Sequence, residues 1–467
     1  MNIRNLREKF VSNELSLKGY YDELFKRIED SKDLNIFITF DKDDVIRQIE
    51  KLENKKDKGK LFGVPITLKD NVSYKGLRMT CGSKFLENFM PIFDATLVKK
   101  LVEEDAVILG KVNMDEFAMG SSSETSYFGP TKNPVDPTLV PGGSSSGSAA
   151  SVAADLVYVS IGSDTGGSSR QPAQYCNVMG YMPSYGTISR SGVVSMANTL
   201  DQVGILGKSV ADIVDIVNVI GGNDKMDMTS TLKEKIDFKL DENYDLKDKK
   251  VGVIDLTPFE IDPVVQEDYK RGLELLERMG AKLVNLDFEY LKYSTSIYSV
   301  ITASEVSSNM SRFDGIRYGY LTDNYEDTRE LYTNTRSEAL GEEVQRRIAL
   351  GTMFLASDSN QEVYIQAEKV RKLMAIEFES KFEEVDFIIT PTATNLPWKL
   401  GDRADDPLSM YDSGTFNVPV NLCGLCSISI PIRKGISGSL QLIGKRYDDE
   451  KMLNSACSLE RSIANEL

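Results

Sequence analysis

The sequence predicts an α/β fold: one large domain with a mixed, mostly parallel central sheet covered on both faces by helices. Three observations carry this. Short apolar runs of strand length alternate with longer amphipathic segments along most of the chain. The chain has 467 residues, 41% hydrophobic and 27% charged, which suits a large buried core in a globular protein. No internal repeat and no linker divides it, so 1–467 reads as a single domain, with a core at about 61–210 and a more variable, insertion-like part at about 210–330.

Taken in order, residues 1–30 read as helix, because Leu17, Tyr21, Leu24 and Ile28 share one face. LNIFITF (34–40) alternates as a strand, and 42–60 read as a charged helix ending in a Lys-rich loop. VPITL (64–68) is a short apolar strand. A helix is expected at about 94–104, with Asp94 as its N-cap and Leu97, Val98, Leu101 and Val102 on one face. AVILG (106–110) is another strand. Residues 119–147 are rich in Ser, Gly, Thr and Pro and read as loop. SAASVAAD (148–155) follows as a helix of very small residues, which favours close, buried packing. LVYVSIG (156–162) is a strand, and SDTGGSSR (163–170) is the tight turn after it. Beyond that, VGVID (251–255), AKLVNL (281–286), DFIIT (386–390), SISIPI (427–432) and SLQLIG (439–444) read as strands. Helices are expected at about 263–279, 340–356 and 360–383.

Composition narrows the function. Lys plus Arg is 55 and Asp plus Glu is 71, so the net charge is 55 − 71 = −16, and direct nucleic-acid binding by bulk electrostatics is not expected. No apolar run reaches the roughly 20 residues that span a bilayer. The N-terminal segment is charged throughout and lacks the apolar stretch of a signal peptide. Five scattered cysteines (Cys81, Cys176, Cys423, Cys426, Cys457) read as reduced thiols. Together these place the chain in the cytoplasm. Cys423-Gly-Leu-Cys426 lies between apolar segments with no second cysteine pair, and reads as buried small hydrophobes rather than a redox or metal site. Histidine is absent, so no Ser-His-Asp triad, Cys-His pair or histidine-ligated metal exists within the chain. No metal site is expected, and acid–base work falls to Lys, Asp, Glu, Tyr or Cys.

Three features carry chemistry. Lys69 ends an apolar strand, where partial desolvation lowers a lysine's pKa and makes it a base; an arbitrary strand-end lysine is simply a surface residue. In PGGSSSGSAA (141–150), Gly142 and Gly143 let the backbone approach something closely, although serine clusters are usually flexible loop. In GSDTGGSSRQPA (162–173), Ser168 sits on a sharp bend where the N–H groups of Thr165, Gly166, Gly167 and Ser168 converge. That suits an oxyanion hole, and equally a phosphate, although the Walker and G-x-G-x-x-G patterns are absent. Asp164 and Arg170 flank the turn and are expected to brace it as an ion pair.

GGSSSG, GSDTGGSSRQPA and the lysine of GVPITLKDN together resemble the amidase-signature family, at spacings of 144 − 69 = 75 and 168 − 144 = 24 residues. The resemblance implies the amidase-signature fold and no cofactor in this chain. It implies Lys69 as base, Ser144 as proton relay and Ser168 as the nucleophile that forms an acyl-enzyme. Ser145 is implied as support, and a cis peptide bond at Ser144. Serine is a poor nucleophile until a base takes its proton. Without histidine, a lysine–serine relay is one of the few arrangements left.

The resemblance extends to one branch of that family. NMDEFAMGSSSETSYFGPTKNP (113–134), SSNMSRFDGIRYGY (307–320), TRSEALGEEVQRRIALGT (335–352) and DPLSMY (406–411) are similar to the glutaminase subunits of tRNA-dependent amidotransferases. This implies glutamine as the small amide substrate. It also implies a tRNA-binding partner subunit, to which ATP and Mg belong, and a small third subunit. Arg346 or Arg347 matches the arginine for the glutamine carboxylate, a job suited to a planar guanidinium. Where the branch carries an aspartate after its Met-Tyr pair, this chain has Gly414; Asp412 is the nearest carboxylate. Ser146, Ser169, Tyr181-Met182-Pro183-Ser184 and Cys426 also depart from the family pattern. Two alternatives stay open: a stand-alone amidase for another small amide, and a non-catalytic scaffold subunit.

Overall fold

The computed structural model describes residues 2–231, 233–356, 361–403 and 413–466. Within these, eleven strands form one sheet: β1 (Phe37–Phe40), β2 (Pro65–Lys69), β3 (Val107–Val112), β4 (Val159–Asp164), β5 (Met179–Met182), β6 (Gln202–Gly207), β7 (Lys250–Ile254), β8 (Lys282–Leu286), β9 (Phe387–Pro391), β10 (Cys426–Pro431) and β11 (Ser439–Gly444). Their order across the sheet is β1-β3-β2-β4-β6-β5-β10-β11-β9-β7-β8. Helices cover both faces. Ile388 packs with Tyr298, Ile301 and Val344 from the helices on one side. Its neighbours Phe387 and Ile389 point the other way, into a core with Leu275, Leu276 and Leu453. The mixed, helix-covered α/β architecture is therefore as expected.

The expectation of a mostly parallel sheet is corrected. Four of the ten pairings are parallel, β3–β2, β2–β4, β9–β7 and β7–β8. The other six are antiparallel. The cause lies in the connections. β2 reaches β3 through the helix Thr96–Glu103, and β7 reaches β8 through Pro263–Arg278, which are the helical crossovers that parallel neighbours need. β5 and β6 were not expected as strands. An irregular stretch joins them, and β10 turns directly into β11, so these neighbours run antiparallel.

Other expectations shift in detail. Residues 1–30 form two helices, Ile3–Val11 and Leu17–Asp30, because Ser16 caps the second by accepting from the Gly19 N–H. Asp94 is not an N-cap. Its Oδ1 accepts from the Lys75 N–H at 2.7 Å, and the helix Thr96–Glu103 starts at Ala95 with no side-chain cap. The small-residue helix Ser146–Ala153 is buried from Ser146 through Val152, as its composition predicts. Cys423 and Cys426 are free thiols whose burial pushes both pKa values up. Among the described residues no helix is long and apolar enough to cross a membrane.

Candidate active site

The sheet puts Lys69 in the interior. β2 lies between β3 and β4, and all five of its residues are buried. Lys69 is fully buried, and its ammonium meets hydroxyls instead of water. Nζ donates to Ser144 Oγ at 2.7 Å, Ser145 Oγ at 2.9 Å and Ser163 Oγ at 2.9 Å. Burial drives its pKa down to about 7, against the pull of Asp115, Asp164, Asp201 and Cys81. Near neutral pH the amine is therefore partly unprotonated, the form in which a lysine can act as a base. Ser163 comes from β4 beside β2, and Asn71 Nδ2 donates to its hydroxyl at 3.1 Å.

Ser144 and Ser145 lie on the loop entering the small-residue helix. The Gly143–Ser144 peptide bond is cis. The glycines are required for close approach: a Cβ at Gly142, where φ is +80°, would fall 2.6 Å from Gln171 Oε1, and one at Gly143 would collide with the Asp115 carboxylate. Gln171 holds this loop, accepting from Gly143 N–H at 3.0 Å and donating to the Ser121 carbonyl at 3.0 Å. Ser145 ties the two serine segments together, with its N–H on the Ser168 carbonyl at 3.1 Å and its Oγ on the Ser163 carbonyl at 3.0 Å. Among the described residues no hydrogen bond joins the Ser144 and Ser168 side chains.

The Ser168 turn is organised by one carboxylate. Asp164 Oδ1 accepts from Gly167 N–H at 2.7 Å; Oδ2 accepts from Ser169 N–H at 3.0 Å and Ser169 Oγ at 2.6 Å. Arg170 grips both oxygens, Nη2 at 2.9 Å and Nε at 3.1 Å, and also donates to Gln441 Oε1 at 2.7 Å. Both partners are fully buried. Burial alone would raise the Asp164 pKa, but Arg170 and Ser169 outweigh it and hold the carboxyl below the usual range. The expected brace exists. It also corrects the expected oxyanion hole, because Asp164 takes the Gly167 N–H. Among the described residues, the N–H groups of Thr165, Gly166 and Ser168 have no such acceptor.

Ser168 opens into a cavity of about 50 Å³ lined by Ala118, Tyr298, Arg347, Ser413 and Gly414 among others. Of the two candidate arginines, Arg347 lines this cavity and Arg346 does not. Both are clasped by Glu343, Arg347 Nε at 2.6 Å and Arg346 Nε at 2.7 Å. Burial raises the Glu343 pKa, but Arg347 and Arg346 more than offset it and the carboxyl is net lowered. No described lining residue is a carboxylate, and Asp412 lies outside the described residues. A larger cleft of about 920 Å³ lies between the helix Leu17–Asp30 and β1, and neither Lys69, Ser144 nor Ser168 lines it. Among the described residues no group of three or more His, Cys, Asp or Glu side chains is placed to hold a metal ion.

Sequence reasoning missed Asn71, Ser163, Gln171, Tyr298 and Asp115 as members of this site. Ser163 and Gln171 stood inside the motif around Ser168, so their proximity was a usable signal. Tyr298 had none, because it arrives from a helix more than a hundred residues downstream.

Comparison with known proteins fits this geometry. A family model described as Amidase matches residues 21–453. The chain is 42% identical over 468 residues to the A subunit of glutamyl-tRNA(Gln) amidotransferase from Prosthecochloris aestuarii, covering 98% of each chain. It superposes on the crystal structure of the A subunit of glutamyl-tRNA(Gln) amidotransferase from Thermotoga maritima with a TM-score of 0.79 and 37% identity, covering 94% of this chain and 90% of that one. A bacterial aryl acylamidase of the amidase signature family superposes with a TM-score of 0.85 at 23% identity, covering 99% and 96%, a likeness of fold alone.

Proposed function

The chain belongs to the amidase family and is an amidohydrolase, and on that premise we propose that it is the glutaminase subunit of a tRNA-dependent amidotransferase, working through a Lys69–Ser144–Ser168 relay. One observation carries the mechanism: a fully buried lysine with a pKa of about 7 has its Nζ 2.7 Å from Ser144 Oγ beside the Ser168 turn, so that the amine donates to Ser144 when charged and can accept its proton when neutral. Neutral Lys69 takes the Ser144 proton while Ser144 takes that of Ser168. Ser168 Oγ attacks the amide carbon. The N–H groups of Thr165, Gly166 and Ser168 stabilise the oxyanion. The relay then runs backward and protonates the leaving nitrogen, ammonia departs, and an acyl-enzyme remains on Ser168. Water, activated by the same relay, hydrolyses that ester and regenerates the serine.

Arg347 holds the glutamine carboxylate at the cavity wall. The ammonia passes to a tRNA-binding partner subunit, which also takes ATP and Mg; a small third subunit completes the assembly. The relatives' names, which give an A subunit of a glutamyl-tRNA(Gln) amidotransferase, support an assembly of several subunits that acts on tRNA. The test is ammonia release from glutamine, asparagine and simple aliphatic and aromatic amides, with Ser168→Ala as the blank, together with co-purification of a tRNA-binding chain. Release from glutamine supports the reading; glutamine left inert while another amide is cleaved ends it. A second reading, a stand-alone amidase for another small amide, has one observation in its favour. Gly414 lines the cavity, and no described lining residue offers an anion for an α-ammonium.

A further inference from the structure

Glu116 stands outside the relay and outside the cavity lining, yet it is buried at 3% exposure and committed at both oxygens. Oε1 accepts from Ser83 Oγ at 2.5 Å, and Oε2 accepts from the Gly341 N–H at 2.8 Å. Gly341 is the N-cap of the helix Glu342–Leu355, the helix that carries Arg347. Glycine has no side chain with which to cap, and that helix has no side-chain cap of its own. A carboxylate 225 residues away in sequence supplies the acceptor at the positive end of the helix instead. A Cβ at position 341 would collide with that Glu116 oxygen, so the contact requires glycine there.

The first turn fixed in this way is the turn that holds the arginine. Glu343, two residues past the cap, accepts from Arg347 Nε at 2.6 Å one helical turn further on. Gly351 of the same helix packs directly on the Ala303 backbone, so the helix lies against Ser294–Met310, whose Tyr298 faces the cavity. On the other side of Glu116 the chain turns through Phe117 (φ +47°) and Ala118 (φ +64°), and Ala118 lines the cavity too. Glu116 thus joins two walls of the cavity without touching its contents.

We infer that Glu116 is a positioning residue for Arg347, and that by capping the helix at Gly341 it sets the enzyme's affinity for amides that carry a carboxylate. This rests on the reading of Arg347 as the carboxylate-binding residue. Burial lifts the Glu116 pKa to about 7, although Ser83 and Gly341 both favour its charged form. The contact therefore depends on a well-placed acceptor more than on a full negative charge, and glutamine retains one such acceptor.

The test compares Glu116→Ala, Glu116→Gln and Arg347→Ala on two substrates, glutamine and propionamide, which has no carboxylate. Glu116→Ala is expected to raise KM for glutamine about tenfold, the equivalent of one lost buried hydrogen bond. Its kcat should stay within about twofold, with kcat/KM for propionamide unchanged. Glu116→Gln should show a smaller rise in KM, and it serves as the test variant if the alanine variant fails to fold. Arg347→Ala should raise KM for glutamine at least as far. If Arg347→Ala raises that KM while both Glu116 variants leave it unchanged, the positioning role is overturned and the arginine reading stands. If Arg347→Ala leaves it unchanged, the arginine reading falls and takes this inference with it. Equal losses on both substrates in the Glu116 variants would reduce Glu116 to a structural residue.

Discussion

The two sides of the cavity are built differently. On the relay side, Lys69, Ser144, Ser145 and Ser163 are all buried, come from adjacent strands and the loops they anchor, and meet through direct hydrogen bonds to the Lys69 amine, while Asp164 at the end of β4 holds the Ser168 turn. On the recognition side, Tyr298, Arg347 and Gly414 come from two helices and a loop far apart in sequence, and Arg347 is held by a neighbour on its own helix. Proton transfer tolerates little displacement, so its groups sit on the sheet and on short loops hydrogen-bonded to it. A pocket that selects among amides can change residue by residue, provided the helix that carries it stays in place.

That contrast breaks most sharply at Ser168. Ser168→Ala should abolish turnover, a loss on the order of 10⁴-fold or more, because no other group offers the attacking oxygen. Retained ammonia release by this variant would sink the relay. Lys69→Ala comes next, with a loss of about 10²–10⁴-fold for a missing general base. A trace should survive and grow at high pH, where hydroxide substitutes for the amine. The wild-type pH profile checks the same residue. As the proposed base, Lys69 must be neutral to act, and with its pKa lowered to about 7 activity should rise with pH through about 7 and fall below it as the amine protonates. A limb lying near the ordinary lysine value would mean that burial does not lower the pKa of the amine, and a profile with no limb that Lys69→Ala removes would mean that the amine is not the base.

A third effect is on stability. Asp164 and Arg170 form a fully buried pair, so Arg170→Leu strands a buried carboxylate. It should cost about 3–5 kcal/mol by urea unfolding, and activity should fall as well, because Asp164 also seats the Gly167 and Ser169 N–H groups. A variant as stable as the parent would show that the brace contributes little beyond local geometry.

The relay side was the legible side. Lys69, the Gly142–Ser145 loop and the Ser168 turn are each encoded within about ten consecutive residues, and the absence of histidine left few other chemistries. What escaped had a physical reason. β6 reads QVGILG, and its glycines weaken the strand signal; Gly204 is there because a Cβ would press on the Ser169 side chain, a contact invisible in sequence. Asp94 looked like a cap, but a backbone N–H 19 residues upstream claimed its oxygen. The Gly167 N–H looked available until the structure showed Asp164 taking it. Such competitions between local and distant partners are decided by the fold. The recognition side depends on them almost entirely.

The smallest expected effect is the most informative about the recognition side. Gly414 lines the cavity with Arg347, at the position where the resemblance to the glutaminase subunits implies an aspartate. If the enzyme acts on glutamine without that anion, the substrate is held through its carboxylate and the reacting amide, and its ammonium is poorly matched. Gly414→Asp should then improve kcat/KM for glutamine by about tenfold, one charge-assisted hydrogen bond, mostly through KM. Propionamide, with no ammonium to meet the new charge, should gain nothing. An unchanged glutamine constant would mean that another group already serves the ammonium, with Asp412 the nearest candidate by sequence. A fall for glutamine together with retained activity on a neutral amide would mean that the glycine marks a pocket shaped for a different substrate, and the stand-alone amidase reading would take precedence.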